Sequence, residues 1–484
     1  MKKLSVGSKL FYGIGQIAEQ VKVQGFDMFV FFYFNQVLGL EGWLTGLAVA
    51  SAIIVDAITD PLVGSLSDNC RSKFGRRHPF MFAAAFPLGI FWAILFFPPT
   101  DIGQIGLFCW LAAFAILIRV SMTFYFVPHL ALGAEIANDY HERTSVVNYR
   151  VMFGLVGGVM TTIIGIGFFF PESSAYQQRL LNPAGYPNVA IFGGIVMVVS
   201  ILLSAWGTRS RISYLPKAPG NSTSFTFSRV VSEFKIALSF QSFRALFFGI
   251  CLGLTAAGLY AAIAIYMNIF FWRLSYDEIA KLTAVIIPGF ILAGICSKWL
   301  HSKFDKRPVL NVTIVCANLF SIIAVLCHIN GYFPLDASGE PEFETMLYLM
   351  LVSGWSMAII PITYSSMMAD VAHYSTTQNG ENREGIFFSA ISFAGKLASG
   401  FGHLLAGILL SVIAFPVKST DPAEVAPFLV NQLAGISVFA AVLGSCSVFF
   451  YMKYNLYKKD IMTDRLSNND ENQSEDSDGT HVIG

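Results

Sequence analysis

Twelve stretches of this chain are long and apolar enough to cross a bilayer, and no water-soluble fold can hide that many. A spanning helix needs about 20 mostly apolar residues. Such stretches lie at 10–38, 44–67, 80–98, 104–134, 147–170, 188–207, 245–272, 279–299, 309–329, 345–369, 386–414 and 430–453. Composition agrees: 55% of residues are hydrophobic and 13% charged, whereas soluble domains carry about 25% charged residues. The zero formal charge gives no sign of nucleic acid as a partner. The seven cysteines are scattered without CxxC or metal-ligand spacing, so neither a disulfide framework nor a zinc site is expected. Polar Glu19, Lys22 and Asp27 follow the basic start too closely for a cleaved signal sequence, so the first stretch is expected to remain as a helix.

Basic residues set the expected orientation. One set of loops holds Arg71, Lys73, Arg76 and Arg77, then Arg209, Arg211, Lys217, Arg229 and Lys235, then Lys298, Lys303, Lys306 and Arg307. The opposite set has Arg179, Arg273 and Lys418 as its main cations, and the acids Asp336, Glu340, Glu342 and Glu344. With an even number of crossings, both termini are expected in the cytoplasm, on a bacterial-type inner (plasma) membrane. The chain divides into an N-terminal six-helix bundle at 1–207, a polar connecting segment at 208–244, a C-terminal bundle at 245–455 and an acidic tail at 456–484, expected to be disordered. An internal repeat supports the division: Ser72-Lys73-Phe74-Gly75-Arg76-Arg77 follows helix two, and Ser302-Lys303-Phe304-Asp305-Lys306-Arg307 follows helix eight. Helices four and ten echo one another through Pro128 with Glu135 and Pro361 with Asp370. Parallel repeats of six crossings are the pattern of major facilitator transporters. The expected fold is therefore an all-α membrane protein with twelve transmembrane helices, two six-helix bundles around a central cavity.

Chemistry concentrates in helix two, which reads Val55-Asp56-Ala57-Ile58-Thr59-Asp60-Pro61. Residues four apart share one helix face, about 6 Å from each other. A lone carboxylate near mid-span is costly by several kcal/mol, and two raise that cost unless they share a cation or a proton. Pro61 lacks an N–H and frees the carbonyl of Ala57 beside them. Hard oxygen ligands of this kind suit Na⁺, Li⁺ or H⁺; the other reading is a structural pair neutralised by a basic residue on a neighbouring helix. Helix one carries Gln16, Gln20, Gln24 and Asp27 as a polar stripe flanked by Glu19 and Lys22, facing either a cavity or another polar helix. Arg119, one turn before Thr123 in helix four, pairs with an acid or binds an anionic substrate group. Arg150 in helix five binds substrate or snorkels to the membrane surface. Lys396 in helix eleven shares a face with Gly400 and His403, and the helix-two acids are its natural partners. Gly64, Asp68, Arg71, Gly75, Arg76 and Arg77 form a candidate gate, or serve topology alone. Asp370, His373, Glu381, Arg383 and Glu384 form a candidate latch between helices ten and eleven.

These residues resemble the glycoside–pentoside–hexuronide:cation symporters of the major facilitator superfamily, the melibiose permease-like carriers. The resemblance runs through Lys9-Leu10-Phe11-Tyr12-Gly13-Ile14-Gly15, Asp56 to Gly64 and Arg71 to Arg77, and recurs at Val127-Pro128, Tyr149-Arg150, Ala369-Asp370 and Gly395-Lys396. The helix-two signature is also similar to that of sodium-dependent lysophosphatidylcholine symporters. The resemblance implies that Asp56 and Asp60 bind the coupling cation, helped by Thr59 and Thr123, with Lys396 beside the site and Arg150 in the substrate region. Galactoside carriers of this family use an acid on helix one and another on helix four. Gln20 and Phe126 stand there in this chain, so the galactoside signature is missing.

The implied activity is secondary active transport, symport of a sugar-like solute with Na⁺ or H⁺ (Li⁺ is a further candidate), without an organic cofactor. Gln20, Gln24, Asp27, Lys22, Arg119, Phe126, Arg150 and Lys396 are the expected substrate-side residues. A lysolipid or other amphiphile is the alternative solute. A membrane enzyme or receptor is a remote alternative, since no nucleophile–base set, phosphate loop or sizeable soluble domain is visible in the sequence.

Overall fold

The computed structural model describes residues 4–137, 140–176, 178–215, 234–337, 339–379, 384–419 and 421–456. Among them, eleven unbroken helices are long and apolar enough to cross a membrane. They are helix two (Gly42–Asp68), three (His78–Leu95), four (Gly103–Ile136), five (Tyr140–Phe169), six (Tyr186–Thr208), seven (Gln241–Tyr266), eight (Tyr276–Lys303), nine (Lys306–Ile329), ten (Phe343–Asn379), eleven (Glu384–Val412) and twelve (Pro427–Tyr451). Their outer faces carry exposed apolar side chains such as Phe168, Ile295, Tyr348 and Phe449, each at least 69% open, which only lipid would cover. Helices five and ten extend beyond the expected 147–170 and 345–369, adding turns on the basic-loop face.

The first crossing differs from the rest. The sequence predicts one helix over 10–38. The structure builds it from α-helical Val6–Ile14 and Gln16–Gly25 followed by π-helical Phe26–Val30 and Tyr33–Val37. Close packing fixes its path: a Cβ at Gly15 would collide with the Tyr125 hydroxyl of helix four, and one at Gly25 with the Trp92 ring of helix three. π-turns leave part of the backbone ladder rewound and cluster at functional positions. Asp27 sits in the first of them.

The two halves repeat one packing scheme. Helix one lies on five and six, two on four, and three on four and six. Six helices later, seven lies on eleven and twelve, eight on ten, and nine on ten and twelve. The halves meet along two seams of the same offset, helix two on eleven and helix five on eight. This scheme places helices one, two, four, five, seven, eight, ten and eleven next to the seams, the positions from which side chains reach a central site.

The seam is sealed on the face opposite the basic loops. Gln36 donates to the Pro416 carbonyl at 2.8 Å and accepts from the Lys418 N–H at 2.7 Å. The Tyr266 hydroxyl donates to Asn35 Oδ1 at 2.6 Å. Phe31 and Phe32 meet Tyr266 edge-on, and Phe270 meets Phe415. Gln178 donates to the Leu274 carbonyl, and the Arg179 guanidinium lies 4.8 Å over the Tyr276 ring. Apolar rings and satisfied backbone groups exclude water together. Most of the connecting segment, at 216–233, and nearly all of the tail, at 457–484, lie outside the described residues. So do Lys217, Arg229, Glu381 and Arg383. Glu384 opens helix eleven.

Candidate cation and substrate site

Helix two brings Asp56 and Asp60 to the seam, and a cation from the other half already lies between them. Lys396 Nζ of helix eleven donates to Asp56 Oδ2 at 2.9 Å and to Asp60 Oδ2 at 2.5 Å. On the opposite side of the pair, Thr123 Oγ1 of helix four is 2.8 Å from Asp56 Oδ1 and 3.2 Å from Asp60 Oδ1. One hydroxyl proton serves one acceptor at a time, so the nearer Asp56 oxygen takes it. Thr59 Oγ1 donates to the Asp56 carbonyl at 3.2 Å and lies 3.4 Å from Thr123 Oγ1. Arg119, one turn before Thr123, reaches Asp56 Oδ2 at 3.5 Å, and its guanidinium lies 4.9 Å from the Phe26 ring centre.

The charges of this cluster cancel: Asp56, Asp60 and Glu19 against Lys396, Arg119 and Lys22, the last acting on Asp56 as well as on Glu19. Asp56 is nearly closed off, its side chain 5% exposed, while those of Asp60 and Lys396 are open by 28% and 31%. An ion bound by this pair would reach it from the more open Asp60 side and would have to displace the ammonium, because the site cannot hold a further positive charge in a low-dielectric slab. A Thr123→Val exchange keeps the volume and removes the hydroxyl. Losing one hydrogen bond to a charged group costs about 1.5–3 kcal/mol, so coupling-ion affinity should fall about tenfold or more by calorimetric titration. Unchanged affinity would take Thr123 out of the site.

The other expected substrate residues lie in several different environments. Gln20 packs its stem against Gly157 and Gly158 of helix five. Lys22 is buried at 4% exposure, donates to Glu19 at 2.9 Å, and lies near enough to helix two for its charge to act on Asp56. Arg119 is paired with Asp56. Arg150 and Gln24 stay half-buried, and no carboxylate lies within pairing distance of Arg150 among the described residues. Phe126 is half-buried with its ring 6.4 Å from that of His129. Asp27 faces His403 of helix eleven, Oδ1 to Nε2 3.6 Å.

At the basic loop, Arg77 donates to Ser67, Asp68 and Glu135, and Arg76 reaches Glu135 at 2.8 Å. Those partners belong to helices two and four of the same half. Lys306 pairs with Asp370 at 2.5 Å, the equivalent tie in the other half. Glu135 is the acid that completes the first network, and its distance in sequence from Arg76 and Arg77 gives no sign of it. Arg71 is exposed on the loop. Among the described residues no group of three or more His, Cys, Asp or Glu gathers as a metal-binding cluster.

With this geometry in place, similarity to known proteins adds the family. A profile described as MFS/sugar transport protein matches residues 11–458. The putative glycoside/cation symporter YagG of Escherichia coli is 24% identical over 434 residues, covering 88% of this chain and 87% of that protein. The sodium-dependent lysophosphatidylcholine symporter 1 of Gallus gallus is 23% identical, covering 100% of this chain and 94% of that protein. In fold, the chain superposes on a bacterial homologue of the human lysosomal transporter Spinster, in an inward-facing and unoccupied conformation, with a TM-score of 0.64, 15% identity, and 94% and 97% of the two chains covered. The twelve-crossing repeat and the matched profile agree: this chain belongs to the MFS/sugar transport protein family.

Proposed function

We propose that the protein is a secondary active transporter in which Asp56 and Asp60 take up a coupling cation, Na⁺ or H⁺, together with a sugar-like solute. One observation carries the reading: an ammonium from the other half occupies the place between a buried and a half-buried carboxylate where a free cation would bind. Lys396 then acts as a tethered stand-in. A Na⁺ or proton that neutralises the pair releases helix eleven from helix two, and the two halves are free to rock. The glycoside/cation relative supports a sugar-like solute, and Gln20 supplies a hydroxyl-binding amide where galactoside carriers have an acid.

Arg150, half-open and without a carboxylate partner among the described residues, favours a solute with an anionic group, such as a hexuronide. The same feature, with the full-length likeness to a lysophosphatidylcholine symporter, supports the lysolipid reading. With the basic loops and both termini in the cytoplasm, the sealed seam faces outward and the structure is inward-open. The Arg76–Arg77–Glu135 network and the Lys306–Asp370 pair, each closed within its own half, are then gate parts released from one another.

The test is uptake into proteoliposomes from a panel of labelled glycosides, pentosides, hexuronides and a lysophospholipid, under an imposed Na⁺ or pH gradient. One solute class should accumulate against its gradient with one of the two ions and only equilibrate without it. Equal accumulation with no gradient, or turnover in place of accumulation, would overturn the reading.

A further inference from the structure

Asp27 and His403 bring a second ionisable pair to the seam, separate from the helix-two site. His403 is buried, its side chain 6% exposed, and Asp27 is 35% exposed. His403 Nδ1 lies 2.9 Å from the Ser399 carbonyl of the preceding turn. A carbonyl only accepts, so Nδ1 carries a hydrogen, and the tautomer is fixed from within helix eleven. The other nitrogen, Nε2, faces Asp27 Oδ1 at 3.6 Å. In a neutral ring with Nδ1 protonated, Nε2 presents a lone pair to a carboxylate, and the contact is repulsive. Adding one proton to Nε2 converts it into a charge-assisted contact between the halves. Among the described residues no N–H or O–H donates a hydrogen bond to Asp27, which leaves His403 as the group it meets.

The groups packed against this part of helix eleven are mostly backbone and apolar. Helix two places Gly46 against the His403 carbonyl, and helix seven places the Thr255 carbonyl and Leu259 against neighbouring Gly402, none of them titratable. The titratable groups of helix seven are Arg244 and Cys251, nearer the basic loops, and Tyr260 and Tyr266, the last bonded to Asn35. Lys396 is seven residues earlier on helix eleven, about 10 Å by helical rise, and with Asp56, Asp60 and Arg119 it belongs to a cluster of zero net charge. On helix one, Lys22 is matched by Glu19.

We infer that Asp27 and His403 form a proton-binding site bridging the two halves, in which a proton on His403 Nε2 holds the outer seam closed. It rests on the alternating-access reading above and deepens it by giving the carrier a proton site separate from the helix-two carboxylates. Half-open Asp27 gives water a way in; the proton comes from a hydronium ion at the open side, and no bond other than N–H forms or breaks. The sign follows from the tautomer. Protonation at low pH stabilises the sealed state, and that stabilisation is lost as pH rises and the imidazole becomes neutral.

The full-length protein in lipid nanodiscs tests this by hydrogen exchange at about pH 5.5 and about pH 8.5, the interval over which an imidazole changes charge, corrected for intrinsic exchange rates. Segments 31–46 and 403–418 should be protected about tenfold or more at the lower pH, the worth of one charge-assisted hydrogen bond. Asp27→Asn should remove the pH response. His403→Gln, whose amide donates at every pH, should leave the segments protected at both. A response absent from the wild-type protein, or one that persists in both variants, would overturn the site. Gradient-driven accumulation is read in a different assay, so failure of the symport reading shows there while this response stays intact.

Discussion

Asp56→Asn should abolish coupled accumulation while leaving downhill exchange of solute in place. The amide keeps the shape of the carboxylate and its hydrogen bond with Thr123, so folding is preserved. What changes is charge. With Asp56 neutral, Lys396 and Arg119 face Asp60 alone and the site becomes net positive. Two unit charges about 4 Å apart interact by about 4 kcal/mol at the effective dielectric of a partly buried site. Removing one carboxylate from beside an incoming ion therefore costs it a hundredfold or more in affinity. Reciprocal linkage carries the loss to the solute: an ion that no longer binds cannot tighten solute binding. Calorimetric titration with Na⁺ and titration of proton uptake would report the affinity, and proteoliposome uptake the coupling. Full coupling in Asp56→Asn would show that helix two holds a structural ion pair and nothing more.

The cluster of Asp56, Asp60 and Lys396 was the most legible part of this molecule. Two carboxylates one turn apart at mid-span have few physical excuses, and a lysine at comparable depth on another helix has few partners, so Asp56, Asp60 and Lys396 were connected from composition and spacing alone. The twelve crossings were legible for the same reason, because desolvation is written into every residue of a span. Three features were not. The π-turns of the first crossing depend on a shift of backbone pairing by one residue, which leaves no compositional trace. Lys22 flanks the polar stripe, and the sequence leaves it open to a cavity or to an internal salt bridge; the structure adds its tie to Glu19 three residues away. The Asp27–His403 contact depends on the register between helices of different halves, and neither sequence segment encodes that register. A charge held at depth shows that a side chain needs a partner; the register that decides which atoms meet across the seam follows from the summed packing of both bundles.

That packing is tightest where helices two and eleven cross, and a side chain at Gly407 should displace the whole equilibrium. A Cβ there would collide with the Gly42 carbonyl, and one at Gly42 would in turn meet the Gly407 carbonyl. The Trp43 N–H donates to Ser411 Oγ at 2.9 Å beside the same crossing, so the two backbones are held together by polar contact as well as by small size. Gly407→Val has no flexible neighbour to push aside, since the obstacle is backbone. Overpacking costs about 1–3 kcal/mol where side chains can give way, and more where they cannot, so the sealed state should lose at least about a hundredfold in population. Because the strain exists only when the seam is closed, the fold itself should survive: the variant should insert and purify normally yet expose segments 31–46 and 403–418 to hydrogen exchange at every pH. Transport should stall, for a carrier held open on one face cannot cycle. Wild-type exchange and uptake in Gly407→Val would mean that helices two and eleven part elsewhere during transport, and that this crossing is a fixed pivot.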